Sequence, residues 1–222
     1  MNAGFFRRLF STTIDMMFVF TIIYLSFILF GRPFLQAKIE NYDEINASYV
    51  EIMSVYNENL SEIQKEYEVS RELAGSDEEL KAQALEIYLE KTAVLKDQNL
   101  IDTAPYNGPL GIYFTSVIYY YLFLFLVLMT VYTLAFKGRT IGRRTMRVKL
   151  AGPVNAMSIF LHDIAFKYLI VIVLVPINVL FAIMLLMFMA LIDTGLIGAT
   201  RNKITIRDMI TKITVEKTEY KY

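Results

Sequence analysis

Three long apolar runs constrain this chain more than any other feature of its sequence. They cover Leu9–Phe30, Ile112–Phe136 and Met157–Ala199. A helix that crosses a bilayer needs about 20 mostly apolar residues, so the first two runs predict one membrane span each. The third run is long enough for two short spans.

The third run is interrupted by Pro176 and allows more than one interpretation. Because proline breaks or kinks a helix, we predict a hairpin of two helices, over residues 158–175 and 177–196. The alternatives are a shallow re-entrant pair of helices and a single long kinked helix. The single helix would place the basic C-terminal tail outside the cell and so conflict with the charge distribution.

Charged residues are sorted sharply along the chain. Residues 32–110 contain sixteen acidic and seven basic residues, a net charge of −9, whereas the whole chain is neutral. Basic residues cluster at Arg7–Arg8, Lys137–Lys149 and Arg201–Lys221. Because cytoplasmic loops carry an excess of Lys and Arg, we predict that these clusters and both termini are cytoplasmic and that the acidic segment is outside. The predicted parts are a first span (1–31), an acidic insertion (32–110) and a second membrane part (111–222).

The composition excludes several classes of function. The 222 residues include no cysteine and one histidine, which excludes disulfides, cysteine nucleophiles and His-rich or thiolate metal sites. A neutral total charge gives no reason to expect nucleic acid as a partner. No nucleophile–base pair is recognisable near the single histidine, so we expect neither an enzyme nor a cofactor.

The acidic segment, residues 32–110, has the periodicity of two helices and is called the acidic hairpin below. Its first apolar stripe recurs at steps of three and four, with coiled-coil heptad spacing and one extra step of four: Leu35, Ile39, Tyr42, Ile45, Tyr49, Ile52, Tyr56, Leu60, Ile63 and Tyr67. Gly75 predicts the end of the first helix, and Ser76 or Asp77 the cap of the second. The sequence APYNGP predicts a break before the next span. Such a hairpin either closes on itself or docks on a partner, which is another protein or another copy.

Two short segments alternate polar and apolar residues instead. They are Thr145–Leu150, after the second apolar run, and Thr211–Glu216, near the end of the chain. Alternation at period two is typical of β-strands. We therefore predict a small two-stranded ribbon on the cytoplasmic side, which would join the tail to the loop after the second span.

Three short motifs resemble the RDD family of bacterial membrane proteins, named for one arginine and two aspartates. RRLFSTTID is similar to the family's opening motif, in which Arg8 and Asp15 match. GRTIGRRTMRVKLAG resembles the glycine-rich basic stretch after the second span, with matches at Gly138, Thr140 and Gly142. ITIRDMITKITVEK resembles the closing His-Asp motif, in which Asp208 matches and Arg207 replaces the histidine. The resemblance implies a bacterial membrane protein, and cation/proton exchange has been proposed for some members of the family.

The charged residues of the apolar runs predict a cluster near the inner membrane surface. Arg8 and Asp15 are seven residues apart, almost two helical turns, so they share a face and are separated by about 10 Å along the axis. A carboxylate inside the membrane is either paired with another group or functional. We expect Arg8 to neutralise Asp15. The predicted cluster also includes Asp163 and Asp193, and Asp208 could join it through Arg8 or Arg207.

The predicted cluster supports two functions. A buried Arg–Asp pair can lock helices into one packing. Alternatively, intramembrane carboxylates bind monovalent cations or carry protons. Five basic residues of the stretch after the second span are expected to contact anionic lipid headgroups, at about 1 kcal/mol each: Arg139, Arg143, Arg144, Arg147 and Lys149. Lys167 is expected to extend along its helix to the membrane surface.

These observations predict an all-α integral membrane protein of the bacterial cell membrane. It has two clear spans, a C-terminal membrane hairpin, the acidic hairpin outside and a short cytoplasmic ribbon. The first hypothesis for its function is an accessory or regulatory membrane subunit whose acidic hairpin engages a partner. The alternative is a small cation/proton transporter that works through the Arg8–Asp15 face as an oligomer.

Overall fold

Long apolar helices dominate the computed structural model, which describes residues 1–199 and 203–218. Within these residues, four helices are long and apolar enough to cross a membrane: Phe5–Gln36, Glu78–Ala135, Ala156–Leu174 and Val179–Ala199. The predicted number of membrane-length helices is therefore confirmed. Arg201 and Lys221, the ends of the third basic cluster, lie outside the described residues.

Two of these helices, the first and the third, are built from consecutive segments. The first consists of α1 (Phe5–Ser26), a wider π-helical turn (Phe27–Gly31) and α2 (Arg32–Gln36). The third begins as α6 (Ala156–Ile159), widens into π-helix over Phe160–Leu169 and ends as α7 (Ile170–Leu174). π-Helical segments occur frequently at functional sites. The longer of the two carries His162, Asp163 and Lys167.

The chain forms two compact units, Met1–Gly31 with Ile118–Tyr222, and Arg32–Val117. In the first unit, α1 buries one stripe, in which Val19 and Ile23 pack against the described core. The stripe continues toward the helix start through polar residues, and its buried members are Arg8, Ser11, Asp15, Val19 and Ile23. Steps of three and four place all five on one face, so the carboxylate of Asp15 points into the bundle.

Aromatic contacts link the core of this unit, at Phe125 and Tyr168, to the exposed ring of Phe20. The rings of Phe20 and Phe125 stack at 5.1 Å between centroids, and Phe125 meets Tyr168 edge to face at 5.1 Å. The opposite helix faces expose large apolar side chains such as Met17 and Leu191. An apolar exterior around a partly polar interior is the pattern expected of a helix bundle in lipid.

The break at Pro176 is present in the structure. α7 ends at Leu174, a turn follows, and α8 runs over Val179–Ala199, where the side chain of Asn178 accepts a hydrogen bond from the backbone N–H of Phe181. α7 and α8 pack against each other. The described residues therefore form two helices here and not one kinked helix.

The acidic hairpin contains two antiparallel helices. α3 (Tyr42–Leu73) ends before Gly75, whose positive φ of 53° is accessible to glycine at little cost. The carboxylate of Asp77 then accepts hydrogen bonds from two first-turn amides of α4 (Glu78–Ala135). Of the two predicted caps, Asp77 is the one that the structure uses.

The predicted break at APYNGP is wrong, because α4 continues through Pro105 and Pro109. Proline has a φ close to the helical value, so its main costs are one lost hydrogen bond and a clash with the preceding turn. The two prolines are four residues apart and therefore weaken a single face of the helix. The local signal for a break is overridden by the long helical segments on both sides.

The predicted two-stranded ribbon is confirmed. β1 (Val148–Ala151) pairs antiparallel with β2 (Thr214–Lys217), so that Leu150 lies opposite Val215. The N-terminal residues join this ribbon, since the backbone N–H of Ala3 donates to the carbonyl of Val215 at 2.7 Å. Residues before α1, after α4 and near the chain end are thus joined at one place. Two short helices, α5 (Ile141–Thr145) and α9 (Ile206–Thr211), flank it.

Candidate functional site

Asp15 lies in a cradle of three hydrogen-bond donors. The hydroxyl of Tyr132 donates to Oδ1 at 2.7 Å, the hydroxyl of Thr140 donates to Oδ2 at 2.6 Å, and the backbone N–H of Gly142 donates to Oδ1 at 2.8 Å. The side chain is buried. Among the described residues, its hydrogen-bond partners are therefore all neutral groups, and none of them is a basic side chain.

The segment after α4 is shaped to form this cradle. Thr140 precedes α5, whose first turn presents the N–H of Gly142 to the carboxylate. A Cβ at Gly142 would lie 2.0 Å from the backbone oxygen of Ser11, so only glycine allows α5 to approach α1 this closely. The hydroxyl of Tyr132 also accepts from the N–H of Ile141, which fixes its direction. Thr140 and Gly142 belong to the motif that resembles the RDD family.

The predicted Arg8–Asp15 pair is wrong. The guanidinium of Arg8 donates to the carboxylate of Asp208 at 2.6 Å and to the carbonyls of Ala3 and Lys203. Its partner is thus the second motif aspartate and not the acid about 10 Å further along the same helix. Arg8 is buried, and its ion pair joins α1 to α9.

Asp208 is held from three sides. It closes a capping box with Thr205 at the start of α9, accepts from Arg8, and lies 2.8 Å from Nε2 of His162. Burial alone would raise the pKa of Asp208, but the hydrogen bond from His162 and the positive charge of Arg8 outweigh it and lower the pKa to about 2. This carboxylate is ionised at neutral pH.

His162 connects Asp208 to a second ion pair. Its Nδ1 lies 2.8 Å from Oδ1 of Asp163, whose carboxylate also accepts from both terminal nitrogens of Arg143. Burial would lower the pKa of Arg143, but the charge of Asp163 outweighs it and raises the pKa above its ordinary value. The result is an unbroken chain, called the charge relay below: Arg143, Asp163, His162, Asp208 and Arg8.

The headgroup prediction fails for Arg143, because its side chain is only 11% exposed and is paired with Asp163. The other four predicted headgroup residues are exposed: Arg139, Arg144, Arg147 and Lys149. Lys167 also differs from the expectation, since its Nζ points inward and donates to the hydroxyl of Thr12 at 2.7 Å. The position of a basic residue along a membrane helix did not predict whether its side chain extends to the membrane surface or points into the helix bundle.

Asp193 lies at the edge of the predicted cluster. Its carboxylate is 3.3 Å from Arg207, and both side chains keep 20–25% exposure. The structure therefore brings Asp163 and Asp208 together with Arg8 through His162, whereas Asp15 and Asp193 have separate partners. The sequence did identify the single histidine next to Asp163, but nothing in it indicated that the imidazole would meet Asp208.

A small polar cavity of about 20 Å³ lies beside the charge relay. Such a volume holds about one water molecule. Its lining includes Arg8, Thr12, Arg143, His162, Lys167 and Arg207. Within residues 1–199 and 203–218, no group of three or more His, Asp or Glu side chains is arranged to hold a metal ion.

Removing the hydroxyl of Tyr132 tests the cradle. We expect Tyr132→Phe to lower the free energy of unfolding by about 1–3 kcal/mol, because Asp15 loses a donor and the N–H of Ile141 loses its acceptor. Tyr119→Phe, on the exposed side of the same helix, is the control and should change it by less than about 0.5 kcal/mol. Thermal melts of the two variants in detergent give the comparison, and equal melting temperatures would contradict the assigned role.

Comparison with known proteins gives no relative for this arrangement. No family model matches the chain, and no curated protein or solved structure is detectably similar to it. The interpretation of the site therefore depends on its own geometry.

Proposed function

We propose that this chain is an accessory or regulatory subunit located in the bacterial cell membrane. It is of the RDD type, and its acidic hairpin engages a partner protein. The observation that carries the proposal is that the buried carboxylates already have hydrogen-bond donors or ion-pair partners within the protein. Asp15 has three donors, Asp163 has Arg143, and Asp208 has Arg8 and Thr205. A transported cation would have to displace these internal donors, whereas a helix lock needs them in place.

The ribbon supports the predicted orientation. It joins residues before α1, residues after α4 and residues after α8, which must then lie on one side of the membrane. An even number of spans separates each pair of these segments. Because the exposed bases Arg139, Arg144 and Lys149 lie on the same side, the positive-inside rule assigns that side to the cytoplasm. The acidic hairpin is then extracytoplasmic.

Charge and exposure favour a protein partner over a second copy. α3 buries none of its side chains, and Val50, Val55 and Val69 are each more than half exposed. The acidic hairpin carries a net charge of −9, so two copies would repel each other. The complementary surface is basic with an apolar centre, since electrostatic complementarity sets partner choice.

Charge reversal on α3 tests partner engagement. The triple variant Glu51→Lys, Glu58→Lys, Glu62→Lys changes three exposed acids, and the matched control changes the same residues to Gln. Chains purified from native membranes in mild detergent should carry one partner in fixed stoichiometry, which the Lys variant loses and the Gln variant partly retains. A chain that purifies alone, or a complex that is insensitive to both variants, would contradict the proposal.

The second candidate, a small cation/proton transporter, is favoured by one observation: His162 faces two carboxylates beside a cavity that holds about one water. Vesicles that contain only this protein separate the two functions. Internal pH is followed under a sodium gradient, with Asp15→Asn as the comparison. Flux that disappears in the variant supports transport, and an absence of flux supports the accessory role.

A further inference from the structure

His162 has an acceptor in front of each ring nitrogen. Nδ1 lies 2.8 Å from Oδ1 of Asp163, and Nε2 lies 2.8 Å from Oδ1 of Asp208. A neutral imidazole has one N–H donor and one acceptor nitrogen, whereas an ionised carboxylate only accepts. Two hydrogen bonds at this distance therefore need two protons, one more than a neutral imidazole supplies.

The additional proton belongs to the imidazole and not to either acid. Arg143 donates to both oxygens of Asp163, and Arg8 donates to the second oxygen of Asp208. Arginine is always charged in proteins, so each carboxylate is held ionised by a permanent cation. The remaining arrangement is an imidazolium ring that donates to both acids.

The charges around the ring are consistent with this protonation. Three arginines and three carboxylates form ion pairs beside the ring: Arg8 with Asp208, Arg143 with Asp163, and Arg207 with Asp193. Among the described residues, Lys167 contacts the hydroxyl of Thr12 and has no carboxylate within ion-pair distance, whereas His162 has two.

We propose that His162 is a proton-binding site, and that its bound proton connects the membrane helix Ala156–Leu174 to α9. Proton release breaks one N–H···O bond and leaves a nitrogen lone pair facing a carboxylate oxygen. The proton passes to water, for which the adjacent cavity has room. Because α9 leads directly into β2, loss of the proton loosens the attachment of the ribbon to the bundle. This inference is independent of the partner proposed above.

The single histidine allows a direct test on the intact protein. With ¹⁵N-labelled histidine, the chain gives one imidazole spectrum, and we expect both ring nitrogens to be protonated at pH 7.5, where a free imidazole is mostly neutral. A spectrum of a neutral tautomer in the wild-type protein would overturn the proposal, whatever the behaviour of any variant.

Variants then locate the source of the protonation. Asp163→Asn should reduce the protonated fraction of His162 at pH 7.5, because the ring loses one ionised acceptor. Lys167→Met should leave this fraction high, since the competing cation is removed. Asp77→Asn, in the acidic hairpin, is the control and should leave the spectrum unchanged. An unchanged fraction in a folded Asp163→Asn protein would also contradict the proposal.

Discussion

We expect the Gly142→Ala variant to lose most of its yield of folded protein. The added Cβ would lie 2.0 Å from the backbone oxygen of Ser11 and 2.9 Å from Cγ of Asp15, and a backbone atom cannot rotate away. α5 must therefore shift, which also withdraws the N–H that supports Asp15. We expect a loss of roughly 4 kcal/mol or more, a large part of the stability of an ordinary domain.

Gly195→Ala is the matched control for this variant. Gly195 lies in α8, and a Cβ there would meet no atom from other parts of the described chain within 4 Å. Since alanine favours helix, we expect unchanged or slightly higher stability, by up to about 1 kcal/mol. The yield of monodisperse protein and the helix signal during heating in detergent measure both variants. Equal melting temperatures for Gly142→Ala and Gly195→Ala would show that α5 does not approach α1 as described.

Asp208→Asn is expected to cost about 3–5 kcal/mol, because Arg8 would keep a buried charge without its partner. The variant also weakens the capping box with Thr205. Asp193→Asn is the control, since its pair with Arg207 is partly exposed and should contribute at most about 1 kcal/mol. Similar losses in the two variants would contradict the central place of Asp208.

The effect of Asp208→Asn should depend on pH. The pKa of Asp208 is about 2 in the folded chain and 3.8 without its surroundings. Its ionised form therefore stabilises the fold fully above about pH 4, and this contribution is lost as the pH falls toward 2. Lowering the pKa of Asp208 from 3.8 to about 2 corresponds to roughly 2–3 kcal/mol of stability. The difference between wild type and variant in thermal melts should be largest at neutral pH and shrink in acid.

Local signals explain the parts of the fold that the sequence predicted. The length of the apolar runs, Pro176, Gly75 and the alternation in Thr145–Leu150 each act within a few residues, so their consequences can be recognised without neighbours. The prolines of APYNGP are also a local signal, but there the surrounding helix prevails. Whether a helix is interrupted depends on the stability of the whole helix, and the six residues of this motif are only a small part of α4.

The partners of buried charges depend on distance in space and were only partly predictable. The donors to Asp15 are more than a hundred residues away in the chain, and Tyr132 carries no mark in the sequence that distinguishes it from other tyrosines. Asp208 was expected to be able to join the cluster through Arg8 or Arg207, and the structure uses Arg8, whereas the expected pair of Arg8 with Asp15 does not form. Arg8 pairs with Asp208 because of the position of α9, and the sequence does not specify that position.

The ion pair between Arg8 and Asp208 has a consequence for biosynthesis. The two residues are 200 positions apart, which corresponds to about 10–40 s of translation at roughly 5–20 residues per second. The donors of Asp15 emerge from the ribosome earlier than Asp208 but still long after α1. During this interval the nascent first helix exposes an uncompensated arginine and carboxylate. A stalled or truncated product would therefore present a charged face that insertion factors and proteases of the membrane could recognise, whereas the completed chain conceals it.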